Sequence, residues 1–305
     1  MRTVFMQWLF DQAAIDPSIY LLVGDVGFSV IEKFAAAYPQ RYINTGIAEQ
    51  NMIGVAAGLA MTGKKVYVYS IIPFVTLRCF EQVRDDLCYQ QLPVTIVGVG
   101  GGFSYGPMGV THHAIEDVAI MRSLPEMTVV APGSKHEIAS LMPALHALKL
   151  PAYIRLSNNE ELITYAGSQA IELGKAIEIV PHDDTYIVAS GNALDLGWQV
   201  QQHLSALDIS IGLVSMPTIK PLDINFFTHK KLHGIFTIEE HLLIGGLGEA
   251  VGSVLSQALD YKVIFHAFGV DDFYYHETGS RAYLKERAGL SVENVSSKII
   301  GKLKK

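Results

Sequence analysis

Short runs of β-branched and aromatic residues recur along the first half of the chain, at Ile19-Tyr20-Leu21-Leu22-Val23, Lys65-Val66-Tyr67-Val68-Tyr69, Val94-Thr95-Ile96-Val97-Gly98-Val99 and Thr128-Val129-Val130-Ala131. Between them the apolar spacing becomes helical, near residues 2–15, 29–38, 48–62, 75–90, 114–122 and 135–148. Apolar strands alternating with helices predict βα units and a mostly parallel sheet covered on both faces. A second series follows, with strands at 185–188, 209–214, 234–238 and 263–265, and Gly245-Gly246-Leu247-Gly248 opening a helix between the last two. A Gly-rich turn from strand to helix suits either a phosphate or close packing of the helix on the sheet, and its spacing matches no full nucleotide motif. The polar and turn-rich stretches Asn158-Asn159-Glu160-Glu161 and Ala166-Gly167-Ser168 separate the two series. The expected fold is α/β: two consecutive domains, 1–160 and 183–305, each a mostly parallel sheet flanked by helices, with a linker over 161–182.

Composition narrows the function. In 305 residues, half apolar and 17% charged, there is material for two ordinary cores. The net charge of −7, with Lys298, Lys302, Lys304 and Lys305 as the one basic cluster, argues against nucleic-acid binding. Cys79 and Cys88 are too few for a disulfide framework or a metal knuckle and read as reduced thiols inside one helix. Gln7, Asp11 and Gln12 interrupt the apolar opening, so no signal peptide is expected, and no apolar run is long enough to span a bilayer. The expectation is a cytoplasmic protein.

The candidate chemistry starts at Glu49, in Gly46-Ile47-Ala48-Glu49-Gln50-Asn51-Met52-Ile53-Gly54-Val55-Ala56-Ala57-Gly58. A glutamate in the first turn commonly caps free backbone N–H groups. A carboxylate entering a small, apolar groove also has its ionised form disfavoured, and can share a proton with a ring nitrogen. Both readings are open from the spacing alone. Downstream lie Phe74-Val75-Thr76-Leu77-Arg78-Cys79-Phe80-Glu81-Gln82 and Thr111-His112-His113-Ala114-Ile115-Glu116-Asp117, and later Thr237-Ile238-Glu239-Glu240-His241 before the glycine turn.

These four segments, in this order and spacing over nearly the whole chain, resemble the transketolase family of thiamine-diphosphate enzymes, and in particular the separately encoded C-terminal subunit of split transketolases. The resemblance implies a pyrimidine-binding domain followed by the family's C-terminal domain. It implies that Glu49 bonds N1′ of the cofactor's aminopyrimidine and drives it to the imino form, whose nitrogen removes the thiazolium C2 proton. It places Phe74 against the pyrimidine, with Ile47 and Phe80 nearby, and Asp25 beside the thiazolium. His112 becomes the substrate-channel histidine, with His113 where Gln is more usual, and Arg2 and Ser29 match phosphate anchors of the substrate.

Gly24-Asp25 with Asn44 imitates the Gly-Asp-Gly…Asn signature for Mg²⁺ and diphosphate, but Val26 stands third and the gap is short. No metal ligand is therefore expected here. Resemblance then implies an N-terminal partner subunit that holds Mg²⁺ and the diphosphate, in an α2β2 assembly, with the cofactor across the interface. Three family positions depart: an upstream histidine falls on Gly100, an arginine on Asn158 and the aspartate that reads the α-hydroxyl on Met108. Lost charge-assisted contacts weaken the case for ordinary pentose phosphates. An acceptor other than a simple sugar phosphate is expected, such as a nucleotide-linked ketosugar in a channel widened at Gly100-Gly101-Gly102, Tyr105 and Met108. The rival readings are the β subunit of a 2-oxo-acid dehydrogenase E1 component, a deoxyxylulose-phosphate synthase and a non-catalytic regulatory subunit. The Thr-His-His-x-x-Glu-Asp segment favours transketolase.

Overall fold

The computed structural model describes residues 1–157 and 171–304. The first domain runs α1 (Arg2–Ile15), β1 (Ile19–Val23), α2 (Glu32–Ala37), β2 (Tyr42–Asn44), α3 (Glu49–Met61), β3 (Lys65–Ile71), α4 (Ile72–Val75), α5 (Phe80–Gln82) leading into a π-helical turn (Val83–Cys88), β4 (Val94–Val99), α6 (Asp117–Ser123), β5 (Thr128–Val130), α7 (Lys135–Ala147) and β6 (Ala152–Leu156). The second runs β7 (Ile177–Val180), β8 (Thr185–Ala189), α8 (Leu194–Ser205), β9 (Gly212–Ser215), β10 (Thr218–Lys220), α9 (Ile224–Thr228), β11 (Gly234–Leu242), α10 (Leu247–Ala258), β12 (Ile264–Val270), α11 (Arg281–Arg287) and α12 (Val292–Leu303).

Two sheets result, ordered β10-β5-β6-β4-β3-β1-β2 and β12-β11-β8-β9-β7. Every neighbouring pair is parallel except β10 with β5 and β7 with β9. Both faces of the first sheet are covered: α1 and α7 pack on one, and α3 with the segment around Val83 and Leu87 on the other. That accounts for its continuous apolar strands, such as the fully buried Val94–Val99. β10 comes from the second half of the sequence yet closes the first sheet, which the order of the strands alone did not suggest. β7 lies within 161–182, where a linker was expected, and residues 158–170 of that reading lie outside the described residues. Among the described residues no helix is long and apolar enough to cross a membrane.

Four elements differ from the pattern reading for local reasons. The helix expected over 75–90 is broken, because Pro73 starts α4 and the Thr76 hydroxyl returns a 2.6 Å hydrogen bond to the Ile72 carbonyl, ending the turn there. Cys79 and Cys88 bracket the shorter helical run that remains, one as its N-cap and the other as its last residue; both are buried and free, and burial pushes their thiols up to about 12 and about 11. The helix expected at 29–38 shrinks to α2 because Ser29 holds a left-handed backbone (φ +72°) with its N–H bonded to Glu32. The one expected at 114–122 begins only at Asp117, since Ala114 forms a two-way backbone bridge with Gly102. The strand expected at 209–214 starts at Gly212, because the Ile209 N–H turns back to the Leu204 carbonyl after α8.

Candidate functional site

Glu49 opens α3 with 1% of its surface exposed, so its carboxylate is carried into the protein by the helix that also buries Met52, Ile53 and Ala56. No side chain caps this helix end. Oε2 accepts a 2.7 Å bond from Arg78 Nη1, and the Arg78 guanidinium lies 4.5 Å from the centroid of the Phe74 ring. Phe74 in turn meets the His112 ring edge-on at 5.1 Å, and Tyr105 meets His112 at 6.2 Å. The turn that breaks the expected helix is what brings Phe74 and Arg78 together over Glu49.

One fully buried hydroxyl in this region, Ser70 Oγ, has no hydrogen-bond partner. A Cβ placed on Gly24 would lie 3.4 Å from both Ser70 Oγ and Glu49 Oε1, so the bare glycine leaves space that both oxygens border. A carboxylate, an orphan hydroxyl and an aromatic face together suit a flat heteroaromatic ring with hydrogen-bonding nitrogens. They do not suit a diphosphate, which needs cations or a cluster of backbone donors. Among the described residues no group of three His, Cys, Asp or Glu could hold a metal ion.

His112 is half-buried, with Nδ1 3.0 Å from Thr111 Oγ1, and burial lowers its pKa, favouring the neutral ring. Arg2, at the start of α1, is near enough to Tyr69 and Tyr105 for its charge to act on both phenols: burial pushes Tyr69 up to about 12 and Arg2 pulls against it. Ile47 is exposed in the loop that leads into α3. Asp25 is exposed with a left-handed backbone and accepts 3.0 Å from Asn44 Nδ2, so the two residues of the discarded metal pattern bond each other. Ser29 is exposed on the following loop.

One expected substrate-facing residue is turned away. His113 is 3% exposed, set edge-on against Phe103 at 5.2 Å with Nε2 toward the Gly106 carbonyl, so it faces the core rather than a channel. His112 ends a turn in which its N–H returns to the Gly109 carbonyl at 3.0 Å, and its ring is only partly buried. Phe80 is partly buried and packs against the core cluster that includes Met52 and Val83. Arg78 and Ser70 are the pocket residues the sequence reading did not assign, whereas Tyr105 was placed in the channel; Arg78 stands four residues after Phe74, and a cation at that spacing from an aromatic was the available signal.

The channel is also not widened at Gly100. The Tyr105 ring fills that space, since a Cβ on Gly100 would run into it. Gly100 has φ +97°, so a side chain there is strained as well as obstructed. Gly100→Ala is expected to cost about 2 kcal/mol or more, read as a lower urea midpoint. An unchanged midpoint would show that Tyr105 moves freely.

The glycine turn before α10 resolves in favour of packing. Glu239 Oε2 and Oε1 accept the Leu247 and Gly248 N–H groups at 2.7 and 2.8 Å, so an internal carboxylate fills the place an anion would take. A Cβ on Gly246 would collide with the same carboxylate. Glu239, Glu240 and His241 are buried at the contact between the domains. Glu240 accepts the Phe103 N–H at 2.7 Å and pairs with Arg281 at 2.7 Å, while Asn192 Nδ2 bonds the Gly101 carbonyl at 2.9 Å. Arg155 donates to Asp117, to the Ala114 carbonyl at 2.7 Å and to the Glu240 carbonyl at 3.1 Å. Glu240 and Asn192 of the second domain thereby hold one end of the loop that carries His112, and Arg155 of the first domain, itself bonded to the Glu240 carbonyl, holds the other.

Two buried groups in this contact titrate in opposite senses. Burial raises Glu239 from 4.5 to about 7, against the pull of the Gly248 and Leu247 N–H groups. Burial lowers His241 from 6.5 to about 4, and its Nε2 accepts the Ala119 N–H at 3.3 Å as a neutral ring must. Between 4 and 6.5 the unfolded chain binds the His241 proton that the fold does not, so stability rises with pH; between 4.5 and 7 the fold binds the Glu239 proton that the unfolded chain does not, so stability falls. The two offset over most of that range. Glu239→Gln should therefore steepen the acid side relative to the parent, by up to about 1.4 kcal/mol per pH unit. Denaturant midpoints at several acidic pH values would check this; parallel profiles for the two proteins would contradict it.

The model of the transketolase pyrimidine-binding domain matches residues 1–161, and that of the transketolase C-terminal domain matches residues 174–295. The chain belongs to the transketolase family. A putative transketolase C-terminal section from Methanocaldococcus jannaschii is 33% identical over 100% of this chain and 96% of its own length. A 6-deoxy-6-sulfo-D-fructose transketolase subunit from a Clostridium species is 32% identical over 97% and 92%, and an apulose-4-phosphate transketolase subunit from Phocaeicola vulgatus is 34% identical over 84% and 83%. A solved split-gene transketolase, an inactive β4 tetramer, superposes with a TM-score of 0.87 at 31% identity, covering 99% of this chain and 97% of that one. As a transketolase-family subunit the chain is of transferase type, with the two-domain α/β architecture expected from its patterning.

Proposed function

We propose that this chain is the C-terminal subunit of a split, thiamine-diphosphate-dependent transketolase that moves a two-carbon ketol unit between carbohydrates. The observation that carries the reading is the buried Glu49 carboxylate beside the Phe74 ring and the orphan Ser70 hydroxyl, a seat for the pyrimidine. When bound, the cofactor supplies the nucleophilic carbon that takes up the ketol unit. Glu49 would hold and exchange a proton at N1′ of the pyrimidine, Phe74 would support the ring face with Ile47 near it, and Asp25 would serve the thiazolium. His112, neutral and turned outward, donates a hydrogen bond to a substrate hydroxyl or to the carbonyl oxygen as charge develops. Arg2, with Tyr105, and Ser29 contact the substrate's far end.

Among the described residues no group of three His, Cys, Asp or Glu could hold a metal ion, and we assign the diphosphate groups and the Mg²⁺ ligands to an N-terminal partner in an α2β2 assembly. The relatives named as a C-terminal section and as separate transketolase subunits support this division. The substrate departs from ordinary pentose phosphates: Gly100 and Met108 stand where anchors are expected, and Asn158 does so outside the described residues. Relatives named for apulose 4-phosphate and 6-deoxy-6-sulfo-D-fructose support a non-standard ketose.

The test is to co-express the chain with the product of the adjacent reading frame and assay ketol transfer over a panel of phosphorylated, sulfonated and nucleotide-linked ketoses, with and without cofactor. Activity that needs both chains and the cofactor is expected. Efficient transfer from xylulose 5-phosphate to ribose 5-phosphate with all other ketoses ignored would overturn the substrate assignment, and activity without added or retained cofactor would overturn the whole.

A further inference from the structure

We infer that Arg78 is an internal occupant of the pyrimidine seat, holding it closed until the cofactor displaces it; this rests on the assignment of Glu49 and Phe74 above. The guanidinium is planar, it lies over the Phe74 ring with its carbon 4.5 Å from the centroid, and it donates to Glu49 Oε2 at 2.7 Å. A flat cation lying over that ring and bonded to that carboxylate takes up the two partners an aminopyrimidine would use there. The same two partners cannot serve both groups from the same side.

The arrangement has a physical reason and a route to opening. A buried carboxylate without a partner is costly, so Glu49 needs a counter-charge whenever the ring is absent. Arg78 supplies it from the outside: its side chain is 44% exposed, against 1% for Glu49, so the arm can swing into solvent without disturbing the core. Thr76 and Cys79 on either side are anchored by bonds back to Ile72 and Val75, so the movement is confined to the Arg78 side chain. The apparent affinity for the cofactor is then the intrinsic affinity multiplied by the fraction of molecules with the seat open.

The experiment is equilibrium binding of thiamine diphosphate with Mg²⁺, by calorimetry on the assembled two-subunit enzyme, for the parent, Arg78→Ala, Glu49→Gln and the double variant. Arg78→Ala is expected to bind about tenfold more tightly, the gain set by one partly exposed ion pair and one cation–π contact. In the Glu49→Gln background, where the ion pair is gone, the same substitution should change affinity by less than about threefold. Circular dichroism on each variant confirms that the fold is retained. Equal affinity for the parent and Arg78→Ala would overturn the inference, because the arm would not lie across the seat. Weaker binding by Arg78→Ala would also overturn it, by making Arg78 a contact for the bound cofactor. If neither the parent nor any variant binds the cofactor, the pyrimidine seat itself is refuted, and this inference with it.

Discussion

Replacing Glu49 with alanine in the assembled enzyme is expected to lower ketol-transfer turnover at saturating cofactor by about 10²–10⁴-fold, the usual contribution of a positioned proton-transfer group. The direction follows from geometry: Glu49 is the buried carboxylate at the head of α3, beside the Phe74 ring and the unpartnered Ser70 hydroxyl. Glu49→Gln separates proton exchange from shape, since it keeps the volume and one acceptor but cannot cycle a proton at N1′. Both variants should lose turnover to a similar degree, while thermal unfolding distinguishes a chemical loss from a structural one. The fold should tolerate either change, because Arg78 on the other side of the pair is already half in solvent. Near-parent turnover by either variant would refute the proposed role.

The largest effect on stability is expected at the contact between the domains. Arg155 and Asp117 are 4% and 1% exposed; Asp117 Oδ2 accepts from Arg155 Nε at 2.8 Å and from the Tyr153 hydroxyl at 2.6 Å. Burial, with Asp117 next in weight, keeps the Tyr153 phenol firmly protonated, as a donor must be. Arg155→Met would leave the buried Asp117 without its ion-pair partner and the Glu240 carbonyl without the Arg155 donor, a loss of about 3–5 kcal/mol. Pairing it with Asp117→Leu removes the stranded charge, so the two changes together should cost clearly less than their sum, by about 1–3 kcal/mol. Urea unfolding of the two single variants and the double variant measures this. Strict additivity would show that the pair is not coupled. Because Arg155 also holds the loop carrying His112, the single variant should raise KM for the carbohydrate even at temperatures where it remains folded.

Glu49, Phe74 and His112 were legible in the chain because each stands inside a local segment whose spacing is short and whose neighbours are distinctive. The central parallel strands were legible for a related reason, whereas the antiparallel β7 and β10 were not: a parallel sheet covered on both faces needs continuous apolar runs, and such runs stand out in a sequence. The break at Thr76 was not legible, because an apolar run with helical spacing looks the same whether or not one hydroxyl turns back on its own helix. Nor was the inward turn of His113, since neighbouring histidines are alike in sequence and only the Gly102–Ala114 bridge decides which one faces out.

Local order along the chain was therefore enough to establish the α/β class, the family and the carboxylate at the centre of the proposed chemistry, since each depends on residues close together in sequence. The closure of the first sheet by β10, the filling of the glycine turn by Glu239, the Tyr105 ring over Gly100 and the Arg78 guanidinium over Phe74 were decided only by the folded chain. Several of these join residues far apart in sequence, and all depend on side-chain directions or loop paths that apolar periodicity does not encode. Packing alone determines which side chain fills the space another leaves.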